Sequence, residues 1–158
     1  TRPFDAFRQI RIDPSEPHAA NTLRLPQGLI QPACFPRTRQ RLEAAGIRLI
    51  WDVDARLELP AWSPEAVLNI YRLLQEATHN AIRHAQCRTL TLRVRAVPAG
   101  LEFSVSDDGV GMASAAPRRG FGLDSLRARA GRLGGRLEID STPGQGTCVR
   151  VLLDAGER

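Results

Sequence analysis

Lysine is missing from this chain of 158 residues: all 22 basic side chains are arginine. Against 17 acidic residues they leave a net charge of +5 and a pI near 10.3. A basic balance of that kind can mark a nucleic-acid partner. Here the arginines are scattered and form no patch. Uniform arginine usage beside abundant Ala, Leu and Gly reads as a genome-wide bias, so no direct nucleic-acid binding is expected. Cysteine is also scarce. Cys34, Cys87 and Cys148 are far apart with no C-x-x-C pair, which argues against a zinc site or a disulfide framework. An odd number of thiols without secretory features favours reduced cysteines in a cytoplasm. All three read as small buried hydrophobes. No apolar run approaches the roughly 20 residues that cross a bilayer, no signal-peptide pattern is present, and no internal repeat is found. The first residue is Thr1 and not methionine, so a piece of a longer protein is expected.

What is present is ordinary for one globular domain: 42% apolar and 25% charged residues, in a chain long enough for one substantial core. Residues 1–32 are broken by Pro3, Pro14, Pro17, Pro26 and Pro32 and read as a linker or the end of a preceding helical domain. Residues 33–158 read as the folded unit. Within it, residues 37–45 predict a short helix stopped by Gly46. Leu49, Trp51 and Val53 alternate with Ile50, Asp52 and Asp54, a strand with one mostly apolar face. Ser63 and Pro64 then suit the N-cap and first position of a long helix over 64–86, with Val67, Ile70, Tyr71, Leu74, Ala81 and Ala85 on one side.

Strands follow at 89–97 and 101–107, joined through Pro98-Ala99-Gly100. Residues 112–121 have no periodicity and read as a loop. Leu123, Leu126, Ala130 and Leu133 predict a second amphipathic helix ended by Gly134-Gly135. Strands at 136–141 and 147–153, joined through Thr142–Gly146, complete the order. Hairpin-joined strands require antiparallel pairing. The expected class is therefore α/β: a two-layer sandwich with a mixed, mainly antiparallel sheet and helices packed on one face.

Chemistry concentrates in three segments. Asp107 shares strand parity with Leu101, Phe103 and Val105, so its carboxylate should project to the core side, directly before Gly109 and Gly111. A carboxylate placed there must be satisfied. An adenine amine is a suitable donor, whereas guanine offers a carbonyl and is repelled. Taken alone, D-x-G-x-G also describes an aspartate that merely caps a turn. On the preceding helix, Glu76, Asn80 and Arg83 fall within about 60° of one another, with His84 adjacent. A carboxylate, an amide oxygen and a cation on one stripe suit a magnesium-triphosphate; a solvated helix face is the plainer reading. Gly120, Phe121, Gly122 and Leu123 open a helix whose first-turn amides form an anion site, and Arg118 and Arg119 either add charge or belong to a solvated lid. Thr147 shares parity with Val149 and Val151, so its hydroxyl can reach the Asp107 neighbourhood.

Together these segments resemble the catalytic ATP-binding domain of bacterial sensor histidine kinases, which has the Bergerat ATP-binding fold. QEATHNAIRHA (75–85) resembles that family's asparagine box. DDGVGM (107–112) resembles its first glycine box, and GFGLDSLRARAGRLGGRLEIDSTPGQGTCVRV (120–151) its second, through to the closing Gly146-Thr147. The match is most similar to the short-lid subfamily that usually partners helix-turn-helix response regulators. The resemblance implies that Asn80 coordinates Mg²⁺, that Glu76 orients the ion or its waters, and that Arg83 and His84 contact phosphates. It implies adenine binding by Asp107, a lid shaped by Gly109, Gly111, Gly120 and Gly122, and support of the base by Thr147.

The resemblance also implies that ATP supplies a γ-phosphoryl group to a histidine on a dimerisation domain. His18, His79 and His84 do not fit that phosphoacceptor role, so the acceptor is expected outside this chain, and His79 reads as structural. A response regulator is the implied downstream partner. The implied location is the cytoplasm, free or as the cytoplasmic part of an inner-membrane sensor; membrane anchoring and dimerisation stay open for the parent protein. The rival reading is a regulatory module that binds ATP without transferring phosphate.

Overall fold

The computed structural model describes residues 36–53, 57, 63–112 and 122–154. Gly120, Phe121, Arg118, Arg119, Asp54, His18 and Cys34, and the segment 1–32, lie outside them. Helix α1 (Pro36–Ala44) ends where Gly46 adopts φ +69°, and the Ile47 amide closes back on the Leu42 carbonyl at 2.8 Å. A left-handed residue of this kind accepts no Cβ without strain, which is why glycine stands there.

Five strands form one sheet: β1 (Arg48–Val53), β2 (Thr89–Val97), β3 (Gly100–Asp107), β4 (Gly135–Thr142) and β5 (Gly146–Asp154). Their spatial order is β1-β2-β3-β5-β4. β1 runs parallel to β2, and every other pairing is antiparallel. The fold is thus the mixed two-layer sandwich that the element order predicts. Helix α2 (Pro64–Asn80) starts at Ser63, whose Oγ accepts the Ala66 amide at 3.2 Å, with Pro64 at the first helical position. Helix α3 (Leu123–Arg132) packs against α2, β4 and β5.

Strand parity decides what is buried. Leu90, Leu92 and Val94 of β2, Phe103 and Val105 of β3, and Val149 and Val151 of β5 pack with Ile70, Leu73, Leu74 and Ala77 of α2 and Leu126 and Ala130 of α3. Burial of such side chains contributes about 1.5–3 kcal/mol each before conformational entropy is set against it. Cys87 is buried among them, as expected, while Cys148 is half-buried.

The opposite sheet face carries no helix among the described residues, yet Asp52, Glu102 and Ser104 are buried there. Arginines lie across them: Arg93 Nε meets Asp52 at 2.6 Å, and Arg95 grips both oxygens of Glu102 at 3.0 and 3.2 Å. The planar guanidinium suits such two-point pairing, and its stem covers apolar surface while the head stays wet.

Glycines separate by what surrounds them. Gly131 sits exposed in α3, and a Cβ built on it meets nothing within 4 Å. Gly131→Ala is therefore expected to stabilise the domain by about 0.5–1 kcal/mol, read as a raised midpoint in thermal unfolding.

Candidate functional site

The long helix predicted over 64–86 is straight only to Asn80. Ala81–Ala85 continue it as one π-turn, and the Ala81 amide is shared between the Ala77 and Thr78 carbonyls. A π-turn closes hydrogen bonds one residue further back than an α-helix, so each residue rotates through less than the usual 100° or so. Beyond Asn80 the wheel drawn from the sequence no longer applies. His84 joins Asn80 on the wall of a cavity, whereas Arg83 is exposed and off that wall. The turn stops at Gln86 with φ +50°, which among the described residues is the single non-glycine with positive φ.

The Ala85 carbonyl at the end of this turn accepts the Val110 amide at 2.8 Å. Gly109 lies against the same peptide: a Cβ there would strike the oxygen, carbon and Cβ of Ala85. Glycine at 109 is required by close approach and not by an unusual backbone angle.

Asp107 stands at the end of β3, where parity placed it, half-buried and on the cavity wall. Its Oδ1 accepts the Gly109 amide at 2.9 Å and the Thr147 amide at 3.2 Å. Among the described residues its Oδ2 accepts nothing. Desolvation pushes this carboxyl above its usual range; the two amides pull it back, the Asp108 charge adds to the rise, and the net direction is upward.

Asp108 does different work. It faces away from the cavity lining, and its Oδ1 accepts the Arg88 and Thr89 amides, both at 2.8 Å, tying the loop to the start of β2. Burial opposes its charge, but the Thr89 and Arg88 hydrogen bonds prevail and hold it below the usual carboxylate range. Burial first, then the Asp107 and Asp108 charges, raises the Cys87 thiol, in keeping with an inert buried cysteine.

The loop is held on its other side by the β4–β5 hairpin. Gly144 donates to the Val110 carbonyl at 2.7 Å, and Met112 donates to Ser141 Oγ at 2.7 Å. Gly111, at φ +67°, faces the Thr142 and Gly146 carbonyls too closely for any Cβ. Gly146, at φ +87°, is likewise pressed on the Asp107 carbonyl. Residues 108–112 are thus clasped between the π-turn and the hairpin, with Gly111 and Met112 on the cavity lining.

The cavity has a volume of about 290 Å³. Ala81, Ala85, Val105, Ile139 and Val149 supply apolar walls; Asn80, His84, Asp107 and Thr147 supply polar atoms. Apolar walls with a few convergent polar groups are the usual make-up of a small-molecule site. A flat heteroaromatic ring with an exocyclic amine fits that chemistry.

Of the residues singled out from the sequence, Asn80, His84, Asp107, Gly111, Leu123 and Thr147 line this cavity, and Gly109 supports it from behind. Glu76 lies off the lining but beside Gly122, the N-cap of α3 at φ +67°, where a Cβ would collide with Glu76 Oε1. A carboxylate oxygen and an amide oxygen one helical turn apart are hard donors of the kind Mg²⁺ accepts while retaining waters and phosphate oxygens. His79 is half-buried on α2 and also off the lining. Sequence reasoning missed Met112, Ser141 and the clasping role of Asp108. Ser141 was findable, since it shares parity with Ile139 on β4.

No helix among the described residues is long and apolar enough to cross a membrane. Residues 65–157 match the family described as Histidine kinase-, DNA gyrase B-, and HSP90-like ATPase. The signal transduction histidine-protein kinase/phosphatase UhpB of Salmonella typhimurium is 34% identical over 112 residues, which are 71% of this chain and 22% of that protein. The nitrate/nitrite sensor protein NarQ of Escherichia coli is 28% identical over 162 aligned residues, 97% of this chain and 26% of that protein. The chain thus spans about a quarter of the length of these relatives. Among solved structures, the histidine kinase AdeS of Acinetobacter baumannii aligns with a TM-score of 0.63 at 19% identity, over 77% of this chain and 60% of that one. The histidine kinase domain of the blue-light-activated kinase of Erythrobacter litoralis EL346 aligns with a TM-score of 0.59 at 23% identity, over 72% and 55%. These two likenesses concern the fold. With the family match covering more than half of its residues, and with its cavity floored by the glycine loop, this chain belongs to the histidine kinase-, DNA gyrase B- and HSP90-like ATPases.

Proposed function

We propose that the chain binds ATP with Mg²⁺ in this cavity and presents the γ-phosphoryl group to a histidine on a dimerisation domain outside it, as the catalytic part of a two-component sensor kinase. The observation that carries this reading is Asp107: its Oδ1 is held by two amides while its Oδ2 is left for a ligand amine. Family membership and the sensor-kinase names of the relatives support the same reading. A response regulator follows as the next partner in the phosphate relay.

In this reading Asp107 accepts the adenine amine and the apolar walls exclude water from the ring. Asn80 and Glu76 would hold Mg²⁺, which when bound neutralises charge on the phosphate oxygens. His84, beside Asn80 on the wall, meets the phosphate end of the nucleotide. The first-turn amides of α3 lie past Gly122, where no side chain caps the helix among the described residues, and present the positive end of the helix dipole to an anion. The chain's contribution to catalysis is positioning and charge, as in other phosphoryl transfers. Arg83, exposed and off the wall, meets the triphosphate only where that chain leaves the cavity.

Calorimetric titration with a non-hydrolysable ATP analogue is expected to give one site, weakened when Mg²⁺ is withheld. Absence of binding would refute the proposal. With γ-labelled ATP and a separately purified phosphoacceptor domain, label is expected on the acceptor histidine. Binding without transfer would instead identify a regulatory nucleotide module.

A further inference from the structure

Gln86 ends the π-turn at φ +50° and ψ +40°, a left-handed conformation that glycine or asparagine usually takes at a helix end. Its side chain does not account for this, being exposed and hydrogen-bonded to no described residue. The cause lies in its neighbours. Before it, the Ala85 carbonyl accepts the Val110 amide at 2.8 Å, and Gly109 is pressed on the same peptide. After it, Cys87 is buried in the core and Asp108 holds the Arg88 and Thr89 amides at 2.8 Å. The Arg88 carbonyl also accepts the Arg48 amide at 2.9 Å. Gln86 must therefore turn the chain from helix end to β2 with both sides fixed. Residues held in this way by their surroundings cluster at ligand sites, and this one lies two positions past His84 on the cavity wall.

Resting on the proposed placement of the phosphates beside His84, we propose that Gln86 is a positioning residue that acts through its backbone: its left-handed conformation keeps residues 81–85 wound so that His84 stays on the cavity wall. A side chain that resists this conformation pushes strain to one side or the other. The start of β2 is the firmer side, tied by Arg48 and by two amides on Asp108. The π-turn is the weaker, a rare winding that survives as a single turn. It yields first, and His84 leaves the wall with it. Asp107 stays, because the Gly109 and Thr147 amides hold its Oδ1 at 2.9 and 3.2 Å. The phosphate end of the site then weakens while the base end does not.

The test titrates wild type, Gln86→Gly, Gln86→Asn and Gln86→Val with a non-hydrolysable ATP analogue and with adenosine, alongside thermal unfolding. Glycine and asparagine accept the left-handed region, whereas β-branched valine resists it. Wild type should prefer the analogue over adenosine. Gln86→Val is expected to cut that preference by about tenfold, the worth of one hydrogen bond to a charged group, with adenosine affinity kept within about twofold. Gln86→Gly and Gln86→Asn should keep the wild-type preference. His84→Ala should cut it as Gln86→Val does, and in the double variant the two losses should not add. If Gln86→Val does not fold, Gln86→Thr decides by the same ratio. An unchanged preference in the folded β-branched variant overturns the inference. So does an equal loss of both ligands, which a merely structural role would give, or a loss shared by Gln86→Gly and Gln86→Asn. An unchanged preference in His84→Ala overturns the placement of the phosphates at His84. Failure of wild type to bind either ligand overturns the nucleotide reading itself.

Discussion

Asp107→Asn is expected to lose most affinity for an ATP analogue while the domain stays folded. The asparagine has one acceptor oxygen, and two amides, Gly109 and Thr147, already claim that side of the group. Turning the NH₂ towards them sets donor against donor. The oxygen therefore stays inward and the NH₂ faces the cavity, where the adenine amine arrives as a second donor. A hydrogen bond to a charged group, worth about 1.5–3 kcal/mol, is lost, which corresponds to roughly 10- to 150-fold in Kd by titration. A loss below threefold contradicts the assignment of Asp107 to the base.

The same substitution carries a pH signature. The Asp107 carboxyl is raised in the folded state, chiefly by desolvation. An acid with a raised folded pKa binds more protons folded than unfolded between the two values, so its contribution to stability is present below the unfolded pKa and lost as pH rises through the folded one. At neutral pH the charged carboxylate is thus a burden on the empty domain, and Asp107→Asn is expected to melt no lower than wild type. The difference between the two should shrink as pH falls into the ordinary carboxylate range. Nucleotide affinity of wild type should weaken over the same descent, because a protonated Asp107 no longer offers a charged acceptor to the amine.

Gly109→Ala is the second large effect. The added methyl has no room, since its neighbours are the backbone and Cβ of Ala85 and not a pliable side-chain tip. Either the π-turn or the glycine loop must retreat, and the Val110 to Ala85 hydrogen bond of 2.8 Å goes with it. Overpacking of this kind costs about 1–3 kcal/mol, a fall of roughly 2–12 °C in midpoint for a domain of this size. The retreat also moves Asp107, two residues away, so binding is expected to fall below detection even at temperatures where the domain is folded. Full binding by Gly109→Ala would mean that the clasp is dispensable.

The contrast between Gly109 and Gly131 shows where legibility from sequence stops. Both are glycines in a chain with 13 of them, and neither adopts a positive φ. One tolerates nothing and the other tolerates a methyl freely, because only one has a neighbour brought in from 24 positions earlier. Asp107 lay at the other extreme. Its place on the core side followed from parity with Leu101, Phe103 and Val105 and was correct. Arg83 shows the cost of extending a local rule: the wheel put it with Asn80 and His84 adjacent, and the π-turn keeps His84 on the cavity wall with Asn80 while Arg83 lies off it.

What the amino-acid order settled unaided was whatever repeats over short distances. Strand faces recur every second residue, helix stripes every three to four, and caps act within one turn; those rules placed α1, α2, α3, all five strands and Asp107. What only the folded chain decided were contacts with no period: Ala85 to Val110, Val110 to Gly144, Met112 to Ser141, and the insertion of β5 between β3 and β4. Each joins segments whose separation in sequence carries no signal, and all but the Met112 to Ser141 bond, which uses the serine hydroxyl, depend on backbone groups that every residue possesses. Side-chain identity could therefore announce the cavity's polar atoms, but not the hydrogen bonds that hold them in place.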